Sequence, residues 1–226
     1  MIAKPCGTHE EQFFIKHGYR EQPLSVDYAG TEYWTEARRA RAYAIEQPVY
    51  KWAARVARTH RPRRALDFGC GYAVKTDRYI RPECDEVVGI DGSAIIRRCR
   101  QEFPKIRFVE DDLEQPSATF ADPFDLVIFA DVIEHLQAPG AALEFIHRNV
   151  HATSSILIST PERDLARGLE CNRSTKREHV REWNRAEFQT WATDVAARFG
   201  YGVKFLPIGD EDDRAGPPTQ MAVFAR

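Results

Sequence analysis

The chain has 226 residues, with 32 Lys and Arg against 34 Asp and Glu, a formal net charge of -2. That length admits one α/β domain with a full core and is short for two. A charge so near zero gives no overall field toward nucleic acid or an anionic membrane, and no apolar run approaches the ~20 residues of a membrane span. The start, Met1-Ile2-Ala3-Lys4-Pro5, lacks the apolar stretch of a signal peptide. The five cysteines form no Cys-x-x-Cys pair, which excludes a zinc ribbon and gives no disulfide framework. The expectation is a cytoplasmic protein with reduced thiols and no membrane association, a monomer or homodimer.

Residues 1 to about 32 carry weak periodicity and read as a short helix or an irregular arm. From Tyr33 to His60 the apolar spacing is helical, with Ala37, Ala40 and Ala44, then Val49, Trp52, Ala53 and Val56, at three- and four-residue intervals. Pro48 predicts a break into two helices. Nine Lys or Arg against two Glu between Trp34 and Arg64 make a solvated flank or an RNA-binding face. Tyr28, Tyr33 and Trp34 are candidates to cover a ligand.

Arg64 to Phe68 reads as a buried strand that runs into a glycine turn, followed by a short helix over 74–80. A second strand, Glu86 to Asp91, ends in a carboxylate. Ser93 predicts a cap for a helix from Ala94 to Phe103, which Pro104 stops. Ile106 to Glu110 alternates as a third strand, and Phe124 to Phe129 is a continuous apolar run typical of a strand buried on both faces. A helix from about Pro139 to Val150 leads to a strand at Ser155 to Ser159. Thr160 to Trp183 is polar, irregular and too long for a plain loop. Asn184 and Glu187 signal a capped helix that Gly200 ends. Tyr201 to Leu206 and Met221 to Phe224 read as final strands, separated by an acidic, Pro-rich link. The alternation of strand and helix predicts a doubly wound, mainly parallel sheet: a single domain with a helical cap over 1–60 and a Rossmann-like core over 60–226.

The stretch Asp67-Phe68-Gly69-Cys70-Gly71-Tyr72-Ala73 organises the chain. Its glycines let the main chain turn sharply and approach a ligand, and Asp91 lies where a ribose-binding acid belongs. A dinucleotide fingerprint would place a third glycine at position 74, which is Val74. Asp67, two residues before the first glycine, suits a cationic ligand better than a pyrophosphate. The stretch resembles the first motif of the class I S-adenosylmethionine-dependent methyltransferases, acid-x-Gly-x-Gly-x-Gly, with Ala73 in place of the last glycine. The resemblance implies a seven-stranded sheet of order 3-2-1-4-5-7-6 with a C-terminal antiparallel hairpin, and S-adenosylmethionine as cofactor. It implies that Asp67, Gly69 and Gly71 hold the amino-acid half of that cofactor and Asp91 the ribose hydroxyls. Asp112 would accept from the adenine amino group, with Asp111 as the register alternative, and Ala130 at the end of the fourth strand completes the set.

Ala130-Asp131-Val132-Ile133-Glu134-His135-Leu136 resembles the segment after the fourth strand in ubiquinone-pathway O-methyltransferases and in small-RNA 2′-O-methyltransferases. There a related acid-x-x-Glu-His can hold a divalent metal. Asp131 stands at the first acid position, with a shorter reach, and His179 is a second candidate imidazole. The expectation is a metal-free site in which His135 is the general base and His179 the second choice.

The insert from 160 to 183 supplies six cationic residues, Arg163 among them, against five acids. Such a balance argues against a simple phosphate-backbone groove; the family resemblance, with the insert's place after the fifth strand, implies a lid over the substrate. The expected activity is transfer of a methyl group to an oxygen or nitrogen of a small molecule or sugar unit. The alternatives are a metal-assisted RNA 2′-O-methyltransferase and an inactive cofactor-binding regulator.

Overall fold

The computed structural model describes residues 13–23, 33–208 and 219–226. Tyr28 and the acidic link lie outside the described residues. One seven-stranded sheet forms the frame: β1 (Arg64–Phe68), β2 (Glu86–Asp91), β3 (Arg107–Glu110), β4 (Phe124–Ala130), β5 (Val150–Pro161), β6 (Gly202–Ile208) and β7 (Thr219–Ala225). Its order, β3-β2-β1-β4-β5-β7-β6, is the expected one, with β7 antiparallel to both neighbours and the other pairs parallel. The strand order reverses between the parallel neighbours β1 and β4, so the crevice of an open α/β sheet falls there.

The sheet separates two apolar cores. Leu66, Phe68, Val127 and Phe129 point to one side with Phe145, Trp183 and Phe188; Ala65, Leu126 and Ile128 point to the other with Val49, Tyr50 and Ala53. Period-two alternation in a strand buried on both faces produces this division. β5 is longer than the expected Ser155 to Ser159, because β7 pairs with it continuously from Ser155 to Pro161.

Helix α1 (Glu36–His60) is continuous, not broken at Pro48. Proline inside a helix costs about 3 kcal/mol. The downstream half buries Val49, Tyr50, Ala53, Ala54 and Ala57, and that apolar burial offsets the cost. The predicted short helix after the glycine turn is instead a widened π turn (Thr76–Ile80) followed by a tight 3-10 turn (Arg81–Glu83). Helix α2 (Ser93–Glu102) takes Gly92, not Ser93, as its N-cap residue. The Asp91 carboxylate accepts from the Gly92 amide at 2.7 Å and so turns the chain one residue early.

Helix α3 (Gly140–Arg148) stops before Val150, which opens β5. The insert contains a short helix α4 (Arg163–Arg167) and re-enters the core at Val180, Arg181, Glu182 and Trp183, all buried. Helix α5 (Arg185–Phe199) starts with the predicted capping box of Asn184 and Glu187 and ends at left-handed Gly200. Among the described residues no helix is long and apolar enough to cross a membrane.

Candidate active site

A cavity of about 590 Å3 opens beyond the C-terminal ends of the strands. The glycine turn forms its floor. Gly69 and Gly71 have φ of 81° and 52°, where a side chain is strained. A Cβ at Gly69 would lie 2.5 Å from a Val132 methyl, and one at Gly71 would lie 2.6 Å from the Trp34 ring. The amides of Gly69 and Cys70 both donate to the Ile90 carbonyl, at 2.9 and 3.0 Å, which ties the turn to the end of β2.

Gly71 donates its amide to Asp91 at 2.7 Å. Burial raises the Asp91 carboxyl to about 6, against the pull of the Gly71 and Gly92 amides. A ligand hydroxyl or cation beside it would replace the solvation it has lost. Asp91, Gly69, Gly71, Asp112 and Ala130 all line the cavity, as expected.

Asp67 departs from the expectation. It is fully buried and absent from the cavity wall. Both its oxygens accept from the Tyr50 hydroxyl, at 2.9 and 3.0 Å, and Thr76 donates its hydroxyl to it as well. Its side chain faces α1 and braces the glycine turn from beneath, instead of reaching a ligand. Burial raises its pKa to about 6. Asp111 and Asp112 also separate. Asp111 is occupied by its own turn, accepting from the amides of Ser117 and Ala118 at 2.8 and 2.7 Å. Asp112 accepts from the Glu114 amide at 2.9 Å through one oxygen.

Also on the cavity wall, a one-turn 3-10 segment (Ile133–His135) carries Glu134 and His135. The His135 and His179 rings meet edge to face, with centroids 4.7 Å apart. Glu134, His135 and His179 each offer one possible ligand atom, and these atoms lie within 4.8 Å of one another. Asp131 stands outside that group, with φ of 50°, and accepts from the Ser159 hydroxyl at 2.7 Å. The structure therefore unites His179, not Asp131, with Glu134 and His135.

Burial, and then the Asp131 charge, hold the Glu134 carboxyl well above the usual carboxylate range. Burial lowers His135 to about 3, with His179 adding to the effect, and burial also lowers His179. Each ring has its Nδ1 engaged: His135 with the Glu178 carbonyl at 2.7 Å, and His179 with the Glu182 carboxylate at 2.5 Å.

Arg163 lies away from the cavity, contrary to the lid expectation. It is fully buried and bound to Glu187, through Nη1 at 2.5 Å and Nη2 at 3.0 Å. Arg181 is likewise buried, donating to Glu21 at 2.6 Å and to the Leu136 carbonyl at 2.7 Å. From the insert, Lys176 is the cation on the cavity wall, and α1 adds Arg38 and Arg41. Tyr33 and Trp34 line the cavity too, as the sequence suggested.

Sequence reasoning missed Glu182 and its partner Arg167. The three-residue spacing from His179 to Glu182 was the available signal.

The profile of the methyltransferase domain family matches residues 37–198. The chain belongs to that family. It has the class I S-adenosylmethionine-dependent methyltransferase architecture of its structural neighbours. The methyltransferase domain of bacterial CtHen1-C superposes with a TM-score of 0.67 and 27% identity, over 80% of this chain and 98% of that one. The plantazolicin methyltransferase BpumL, solved with S-adenosylhomocysteine, shares the fold at a TM-score of 0.64 and 15% identity, over 88% of this chain and 95% of that one. Among curated proteins, the small RNA 2′-O-methyltransferase of Xenopus tropicalis is 30% identical over 203 residues, 80% of this chain and 55% of the relative. That of Gallus gallus is 30% identical over 206 residues, 78% of this chain and 52% of the relative. The chain thus spans about half the length of the curated relatives it matches.

Proposed function

We propose that this chain transfers the methyl group of S-adenosylmethionine to a ribose 2′-oxygen of RNA, with a divalent cation held by Glu134, His135 and His179. The observation that carries the reading is this three-donor group on the wall of the cavity that the glycine turn also lines. The similarity to small RNA 2′-O-methyltransferases moves the acceptor from the small molecule first expected to the RNA alternative.

The donor set fits the ion. One carboxylate and two imidazoles suit Mg, Mn or Zn. A ligating imidazole must be neutral, and burial keeps both rings neutral at pH 7. The same shift makes His135 a weak proton acceptor, so the ligand role fits it better than the base role the sequence suggested. When bound, a divalent cation supplies Lewis-acid polarisation of the acceptor hydroxyl.

The chain's own residues do the remainder. Gly69 and Gly71 let the cofactor lie against bare main chain, Asp91 receives its ribose hydroxyls, and Asp112 receives the adenine amino group. The acidic wall suits the sulfonium charge. Arg41 and Lys176 offer positive charge to a phosphate at the same cavity. In the transfer the sulfonium–methyl bond breaks as the oxygen–methyl bond forms. S-adenosylhomocysteine leaves and the hydroxyl proton passes to solvent water. Positioning the two partners in line accounts for most of the acceleration.

The test is methyl transfer from labelled S-adenosylmethionine to an RNA oligonucleotide and to its 2′-deoxy counterpart. Label should appear on the ribose form alone, disappear with EDTA and return with Mn2+. Label on small hydroxyl or amine acceptors but not on RNA overturns the RNA reading. Full activity after exhaustive chelation overturns the metal and leaves the acceptor assignment intact.

A further inference from the structure

The geometry points to Glu182, clamped by Arg167, as the positioning residue that orients His179 and presents its Nε2 to the proposed metal site. This rests on the metal-site reading above and goes beyond it, because Glu182 does not line the cavity.

Three observations carry it. His179 Nδ1 lies 2.5 Å from Glu182 Oε1, and a carboxylate accepts, so Nδ1 is the protonated nitrogen and Nε2 bears the lone pair. Neutral imidazole is a ligand only through its unprotonated nitrogen, so the tautomer decides whether His179 can bind an ion at all. Glu182 is itself fixed from the other side. Arg167 donates through Nη2 to Oε1 at 2.7 Å and through Nε to Oε2 at 3.2 Å, a two-point fork that sets the carboxylate plane. The Glu182 side chain has no solvent exposure, so water does not compete for it.

The main chain is braced as well. The Gln22 side-chain amide donates to the His179 carbonyl at 2.8 Å and to the Lys176 carbonyl, and the Glu182 amide donates to the Tyr19 hydroxyl at 3.0 Å. The loop that carries His179 is thus held by residues on both sides, with the ring set by the carboxylate. A carboxylate behind a ligating imidazole fixes its orientation and strengthens it as a donor, and losing such a partner typically costs about 10–100-fold in metal affinity.

The test compares wild type, Glu182→Gln and Arg167→Gln. Mn2+ and S-adenosylhomocysteine affinities come from calorimetry, and the His179 tautomer comes from long-range 15N–1H spectra of the metal-free protein. Glu182→Gln should weaken Mn2+ binding by about 10–100-fold, and the Nδ1-protonated form of His179 should lose its dominance. S-adenosylhomocysteine affinity should stay at the wild-type value. Arg167→Gln should move both readouts the same way by less; its side chain keeps some solvent exposure where that of Glu182 has none, so this variant keeps the question open to measurement if Glu182→Gln does not fold. Unchanged Mn2+ affinity and tautomer in a folded variant overturn the positioning role alone. A wild-type protein that binds no Mn2+ overturns the metal-site reading itself, while a dominant Nδ1-protonated tautomer would still report the clamp.

Discussion

The two walls of the cavity are built in different ways. The cofactor wall is local: the glycine turn, Asp91 and the Gly71–Asp91 bond join residues 20 apart across adjacent parallel strands. The wall with Glu134, His135 and His179 draws on separated stretches. His135 reaches the Glu178 carbonyl 43 residues away, and Gln22 reaches His179 across 157. The first wall is set by backbone conformation, which glycine and strand ends dictate. The second depends on buried ion pairs among Arg163, Arg167, Arg181 and their acids, and is only as sound as its polar partners are complete.

The sharpest way to break this comparison is to damage the second wall from outside the cavity. Arg163→Ala leaves Glu187 without its buried counter-charge. Removing one partner of a buried pair costs about 3–5 kcal/mol. Urea unfolding should show that loss, while the folded fraction keeps its S-adenosylhomocysteine affinity. Normal stability with lost methyl transfer would instead restore Arg163 to the lid role the sequence suggested.

A smaller effect belongs to the first wall. Asp91→Ala removes the acceptor of the Gly71 amide and the proposed acceptor for the ribose hydroxyls. Each hydrogen bond to a charged group contributes about 1.5–3 kcal/mol, so cofactor affinity measured by calorimetry should fall by that amount or more. Mn2+ affinity should remain. If both affinities fell together, the two walls would be one cooperative unit and the contrast between them would fail.

The smallest expected effect is in the pH dependence of the ligand-free protein. Asp67 and Asp91 are raised by burial to about 6 in the folded chain, above the ordinary value near 3.9 of an unfolded Asp. The folded state then binds more protons between those values. Their contribution to stability is fully present below about 4 and is lost as pH rises through about 6. Thermal melting without ligand should show these two groups favouring pH 5 over pH 7. In Asp91→Asn that gain should shrink, and an undiminished gain would remove Asp91 as its source.

Much of the frame was legible in the residues. Strand runs such as Phe124 to Phe129, the capping box at Asn184 and Glu187, and the glycine turn with Asp91 all rest on local rules. These determined the strand order through the family resemblance, and Gly69, Gly71, Asp91 and Ala130 were placed on the cavity wall before any coordinates. The same local rules misjudged Pro48, because the burial that keeps α1 intact comes from residues outside the helix.

Only the tertiary structure decided which polar residues face the cavity and which are structural. Asp67 looked like a ligand acid but turns away to Tyr50, and Arg163 looked like a lid residue but is locked to Glu187. Asp131 looked like a partner of Glu134, yet His179, 45 residues after Glu134 in the chain, takes that place. Charge in a sequence carries no direction. Whether a carboxylate or guanidinium meets solvent, a ligand or a buried counter-charge is settled by long-range packing, since burial without a partner costs too much to persist.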